Sequence, residues 1–254
     1  MTQNDNDTSR FWEFYALRYS VGAVLGALTL FFLVKQNQAL ASLIFVKEGE
    51  PVDIIQVGIF LGIGLVYSYL ASAPILVFHT GRFMIPKSPA RFLRGGGLSI
   101  AVCLAISAVP AILFMVLSSL DIQLKLWFAM VIFIASTIIL GQLTIIYKCQ
   151  SRRSTLFEFY KDLSTKRSAA TGGMVDSYRH LREHGNAFAI VFFDIILALI
   201  IFAATIYPSV TSQAGLSGNY QTISTLTVVL MLWITPASLV WLIGCIIEQE
   251  LIDS

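Results

Sequence analysis

Ser177 to Phe188 reads SYRHLREHGNAF, and within it His180, Glu183 and His184 stand in the order H-x-x-E-H. Residues four apart on a helix share a face, so two imidazoles would meet one zinc ion while Glu183 deprotonates a metal-bound water. Catalytic zinc also needs a third protein ligand. The only other histidine is His79, far away in sequence beside an apolar run, and the nearby acids are scattered. The expectation is no metal, no cofactor and no catalytic residue, with the motif forming the charged end of a membrane helix.

A second kind of chemistry is offered by Asp194, the one ionisable residue well inside an apolar run. Such a carboxyl is costly in lipid and normally faces protein or water. At 1.5 Å per residue it lies roughly 12 Å from the inner end of its span, with Gln142, Ser72 and Ser238 roughly 9, 10 and 15 Å into theirs. Together with Tyr69 they are expected to form an intramembrane polar layer. Asp194 would then either move a proton or ion, or fix helix register by bonding Gln142.

The third candidate is a set of basic residues outside the apolar runs: Arg152, Arg153, Lys166, Arg167, Arg179 and Arg182 in one loop, Arg91 and Arg94 in another. They would meet a cytoplasmic protein or anionic headgroups. The glycine triplet after Arg94 follows no strand and precedes no G-K-[ST], so neither a nucleotide site nor a nucleic-acid partner is expected.

What must position these residues is a membrane bundle. The 254 residues are 56% hydrophobic and 13% charged with a mean hydropathy of +0.76, against roughly 25% charged in globular chains. Six apolar runs reach the spanning length of about 20 residues: Tyr15–Val34, Ile54–Phe78, Leu98–Leu120, Leu126–Tyr147, Ala187–Ile206 and Ile223–Ile247. The fold expected is all-α: a polytopic integral membrane protein, one bundle domain over residues 1–254 with six transmembrane helices. The acidic head MTQNDNDTSR and the length of the first run argue against a cleaved signal peptide, despite Ala39-Leu40-Ala41. Cys103, Cys149 and Cys245 lie too far apart to indicate a disulfide framework or a thiolate zinc site.

Lys and Arg alternate between the loops. The second and fourth are rich in them, the third has only Lys125, and the fifth, YPSVTSQAGLSGNYQT, has none. Basic loops stay on the cytoplasmic side, so both termini are expected there, in a bacterial inner membrane. Trp127 and Tyr207 would mark outer ends.

Residues 148–186 are the sizeable polar segment and are expected to form a cytoplasmic helical hairpin between spans four and five. Leu156, Phe159, Tyr160 and Leu163 follow i, i+3, i+4, i+7 on its first helix. Thr171 to Gly173 break it, and Gly185-Asn186 punctuate the way into span five. Pro74, Pro110 and Pro236 would kink three spans. Gly22 with Gly26, and Gly58 with Gly62, are small-x-x-x-small pairs that would bring spans one and two together or meet a second copy of the chain. The function expected is that of a non-enzymatic membrane subunit or effector working through the basic loop. A small transporter or channel built on Asp194 is the alternative, and a metallopeptidase using the H-x-x-E-H residues ranks below both.

Overall fold

The computed structural model describes residues 20–35, 53–85, 97–169, 173–211 and 217–252, and among them every regular element is a helix. In chain order these are α1 (Ser20–Lys35), α2 (Ile54–Ala71), α3 (Ala73–Thr80), a 3-10 turn (Gly81–Met84), α4 (Gly97–Leu117), α5 (Ile122–Ser151), α6 (Arg153–Ala169), α7 (Gly173–Thr211) and α8 (Ser217–Ile252). Five stretches are long and apolar enough to cross a membrane: Ile54–Met84, Ile100–Leu117, Ile122–Ser151, Phe188–Tyr207 and Ser224–Glu250. The described chain is therefore all-helical, with the make-up of a multi-pass membrane protein. The expected first run is described only as the shorter α1, since the residues before Ser20 lie outside the described ones.

Local chemistry sets several boundaries. Asp53 begins α2 with a capping box: its carboxylate accepts the Gln56 N–H at 2.7 Å, and the Gln56 side chain accepts the Asp53 N–H at 3.1 Å. Asp121 caps α5 by accepting the Gln123 N–H at 3.1 Å, which starts that helix at Ile122 rather than at the expected Leu126. The expected second run is not one helix. It stops at Ser72 and restarts as α3, where Pro74 stands in the first turn and needs no helical N–H. Pro110 and Pro236 instead sit inside unbroken α4 and α8. Nor do Gly185 and Asn186 punctuate anything, because α7 runs through both. Once a helix is paired on either side, one glycine costs only about 1 kcal/mol and does not end it.

The helices fall into two compact units, one of residues 1–72 with 183–205, the other of residues 73–182 with 206–254. In the first, α1 meets α2 backbone to backbone. A Cβ added at Gly26 would fall 2.8 Å from the Gly64 Cα and carbonyl carbon, and one added at Gly64 would fall 3.0 Å from the Ala27 Cα. The expected pair Gly22 and Gly26 is thus the close-approach face of α1. On α2 the contact is made by Gly64, while Gly58 and Gly62 have open space around them among the described residues. Two residues on a helix amount to roughly 200°, so Gly62 and Gly64 look opposite ways. Phe31 packs edge-on against Phe60 with centroids 5.8 Å apart, and Phe32 lies at the same distance from Phe202 of α7.

The second unit is held by side chains. Val77 of α3, Ile145 and Cys149 of α5, Leu156 of α6, and Ala237, Val240 and Ile247 of α8 form one buried cluster. The Gly81 backbone presses on Ile145, where an added Cβ would lie 3.1 Å from Cδ1. Elsewhere in the unit, Phe128 joins the expected interface aromatics Trp127 and Tyr207, with centroids 4.9 and 5.7 Å away.

Candidate functional sites

In the first unit the chemistry centres on Asp194. Its residue is 3% exposed, and Oδ2 accepts a hydrogen bond from Ser68 Oγ at 3.2 Å. Oδ1 is buried and has no partner among the described residues. The Tyr67 hydroxyl donates to the main-chain oxygen of Asp194 at 2.5 Å, anchoring α7 to α2 beside the carboxyl. The glycine face of α1 completes the arrangement. A Cβ at Gly22 would sit 2.5 Å from Ser68 Oγ and 3.1 Å from Ser68 Cβ, so only glycine leaves Ser68 its place under the carboxylate. One neutral donor to a buried carboxyl is sparse support, because an unpaired oxygen there loses water without compensation. Chemically, the open Oδ1 is where a proton or a small cation would bind.

Of the other residues expected in the polar layer, Tyr69 and Ser72 belong to the first unit and Gln142 and Ser238 to the second. Ser72 Oγ donates to the Tyr69 carbonyl at 2.9 Å, and Ser238 Oγ to the Ile234 carbonyl at 3.4 Å, so each hydroxyl proton is committed to its own helix. Tyr69 is exposed and Ser238 likewise. Gln142, in the second unit, is 0% exposed, with Nε2 and Oε1 both unpartnered among the described residues. Sequence reasoning missed Tyr67 and Ser68. Tyr67 and Tyr69 differ by the same roughly 200° that separates Gly62 from Gly64. Only once the structure turns Gly64 toward α1 does the same side of α2 lead on to Ser68 and Ala71, with Tyr67 beside them.

In the second unit the polar feature is α6. After a break at Arg152 (φ −125°, ψ 42°), the chain turns out of α5 and drives Leu156, 0% exposed, into the cluster with Ile145, Val77 and Val240. Tyr160, one turn on, packs against the same cluster, whereas Phe159 and Leu163 are half-buried. Of the face read from the sequence, Leu156 and Tyr160 thus seat α6 on its own unit. Arg153 forms an ion pair with Glu250 of α8, so this candidate partner contact is engaged within the chain. Arg152 and Lys161 remain exposed. Lys166, Arg167, Arg179 and Arg182 lie on the described helices, but their side chains are outside the described ones, and Arg91 and Arg94 are outside altogether.

His180, Glu183 and His184 all fall on unbroken α7, at the spacing the motif requires, with side chains outside the described ones. Among the described residues no three His, Cys, Asp or Glu side chains gather as a metal site. His79 stands at the end of α3, where its carbonyl accepts from Arg82 Nε at 2.9 Å. No family model, curated protein or solved structure matches this chain.

Proposed function

We propose that the chain is a non-enzymatic subunit or effector of a bacterial inner membrane, with six spans and both termini cytoplasmic, that takes up an acidic cytoplasmic protein on the basic face of α6. What carries this is the seating of Leu156 in the core formed with α3, α5 and α8. A helix lying on a membrane surface needs its apolar face for the lipid. Here that face is engaged inside the protein, leaving Arg152 at the break before α6 and Lys161 within it outward, beside the exposed Glu158 and Asp162, on a support continuous with the membrane helices. A partner bound there pulls directly on α5 and α8. Anionic headgroups are the competing anion.

The test is affinity capture of the full chain from mild detergent with quantitative mass spectrometry. One acidic protein should co-purify at near-equal amount and diminish in a variant with Arg152, Lys161, Lys166 and Arg167 changed to Gln. Each charge should account for about a fivefold loss, on the scale of about 1 kcal/mol per basic residue at an anionic surface. Capture unchanged in that variant would refute the proposal. The topology is tested alongside by reporter fusions, external after Lys47, Asp121 and Gly215 and cytoplasmic after Arg91 and Ser168.

A second reading, of a small transporter or channel, has its own support in the unpartnered Oδ1 of Asp194. It predicts an ion or proton leak in proteoliposomes that Asp194→Asn removes.

A further inference from the structure

A cavity of about 420 Å³ opens in the second unit between α3, α6 and α8, lined by Leu76, Thr80, Tyr160, Trp241, Gly244 and Glu248 among others. Its volume falls in the range of about 300–1,000 Å³ typical of sites for small organic ligands. A neighbouring depression shares Trp241 and continues along α8 to Ala237 and Leu242. Both lie on the stretch of α8, Ser224–Glu250, whose length and hydropathy fit a membrane crossing, and Trp241 is 64% exposed there. In a spanning α8 the medium against this face is acyl chain.

The lining is not uniformly apolar. From Trp241 to Glu248, roughly 10 Å along the helix, it passes from indole and aliphatic groups to a carboxylate, and Glu248 is the only acidic or basic side chain among the lining residues. Across the cavity, α6 contributes Tyr160, which carries one O–H donor. Thr80 has no proton to give, since its Oγ1 donates to the Leu76 carbonyl at 3.0 Å. The lining thus includes one carboxylate, Glu248, and one phenol, Tyr160. An anionic headgroup would meet Glu248 at a cost, whereas a primary ammonium gives it a charge-assisted N–H bond and leaves the adjoining phosphate to the tyrosine O–H.

We propose that this groove holds one phospholipid with a zwitterionic, primary-ammonium headgroup, its acyl chain along Trp241 and Gly244 and its headgroup between Glu248 and Tyr160. The inference rests on α8 spanning the bilayer, as the proposed function does, but not on any partner at α6. Gly244 supplies the means of testing it. A Cβ there meets nothing within 4 Å, so a large side chain enters the groove without displacing backbone.

The experiment is native mass spectrometry of the full chain offered phosphatidylethanolamine, phosphatidylcholine or phosphatidylglycerol with identical acyl chains. The wild-type chain should retain one phosphatidylethanolamine, about tenfold over the other two, as a bond to a charged group is worth. Gly244→Phe should abolish retention, and Glu248→Gln should reduce the ethanolamine preference to parity with choline. Equal retention of all three lipids by the wild type, or an undiminished preference in Gly244→Phe, would overturn the groove. Membranes washed with alkaline carbonate are assayed in parallel. If the wild-type chain is released there, the spanning reading fails and the groove with it; if it is retained without lipid preference, only the groove fails.

Discussion

The two units hold their helices together in opposite ways. In the first, glycine removes the side chains from the contact, so α1 and α2 approach through Gly26 and Gly64, and the room left at Gly22 admits Ser68 and the Asp194 carboxyl behind it. In the second, the contact is an interlocked set of Leu156, Val77, Ile145 and Val240, and a polar-faced helix is seated on it from outside. Lipid offers no hydrophobic gain for bringing apolar helices together, so close packing and polar bonds must supply it. The first unit relies on close backbone approach and an internal polar bond. The second relies on side-chain volume, and what it positions is a surface.

The sharpest way to break that contrast is Gly26→Leu. Its Cβ would collide with the Gly64 backbone, which cannot yield as a flexible side chain does. A loss above about 3 kcal/mol, beyond the usual range for overpacking, is expected as failure to accumulate or a collapsed thermal transition in detergent. Gly58→Ala and Gly62→Ala should leave the transition unchanged or slightly raised. Equal damage at all three glycines would mean that Gly64 is not the contact.

Next in size is Leu156→Ala, expected to cost about 2–5 kcal/mol as for a fully buried leucine and to expose α6 to limited proteolysis between Arg153 and Ala169. Phe159→Ala, from a half-buried position, should cost less. Reversal of that order would remove α6 from the core.

Smaller effects compare the two buried polar groups. Asp194→Asn keeps an acceptor for Ser68 and should shift stability by less than about 1 kcal/mol, whereas Asp194→Leu strands the Ser68 hydroxyl and should cost about 1–3 kcal/mol. Gln142→Met, which removes two buried atoms without partners, should be neutral or stabilising. If it destabilises instead, Gln142 has a bound partner in solution. The smallest change is expected from Arg153→Gln, since its pair with Glu250 is exposed at both ends and such pairs contribute about 0–1 kcal/mol.

Much of this architecture is legible in the sequence, because a charge-free run of spanning length has few options besides a helix, and the sites of α2, α4, α5, α7 and α8 follow from it. What stays hidden depends on faces. Period analysis carries little in runs apolar all round, so nothing in the residues around Gly62 says that Gly64 is the inward one, or that Tyr67 rather than Tyr69 turns toward Asp194. Depth along a helix, on which the expected polar layer rests, carries no information on rotation about the helix axis. By contrast, α6 has a polar face, and there the apolar positions Leu156, Phe159, Tyr160 and Leu163 are readable as one side, with Leu156 its fully buried member. Which surface would cover them was not readable, because that surface comes from residues as distant as Val77 and Val240.

Amide hydrogen exchange of the full chain in lipid nanodiscs tests the seating of α6 most directly. The account predicts that amides around Leu156 to Tyr160 are protected to a degree comparable with the last turns of α5, and that Leu156→Asp removes this protection while leaving α5 and α8 intact. Rapid exchange throughout residues 153–169 of the wild-type chain, indistinguishable from that variant, would contradict it and reduce α6 to a solvated connector.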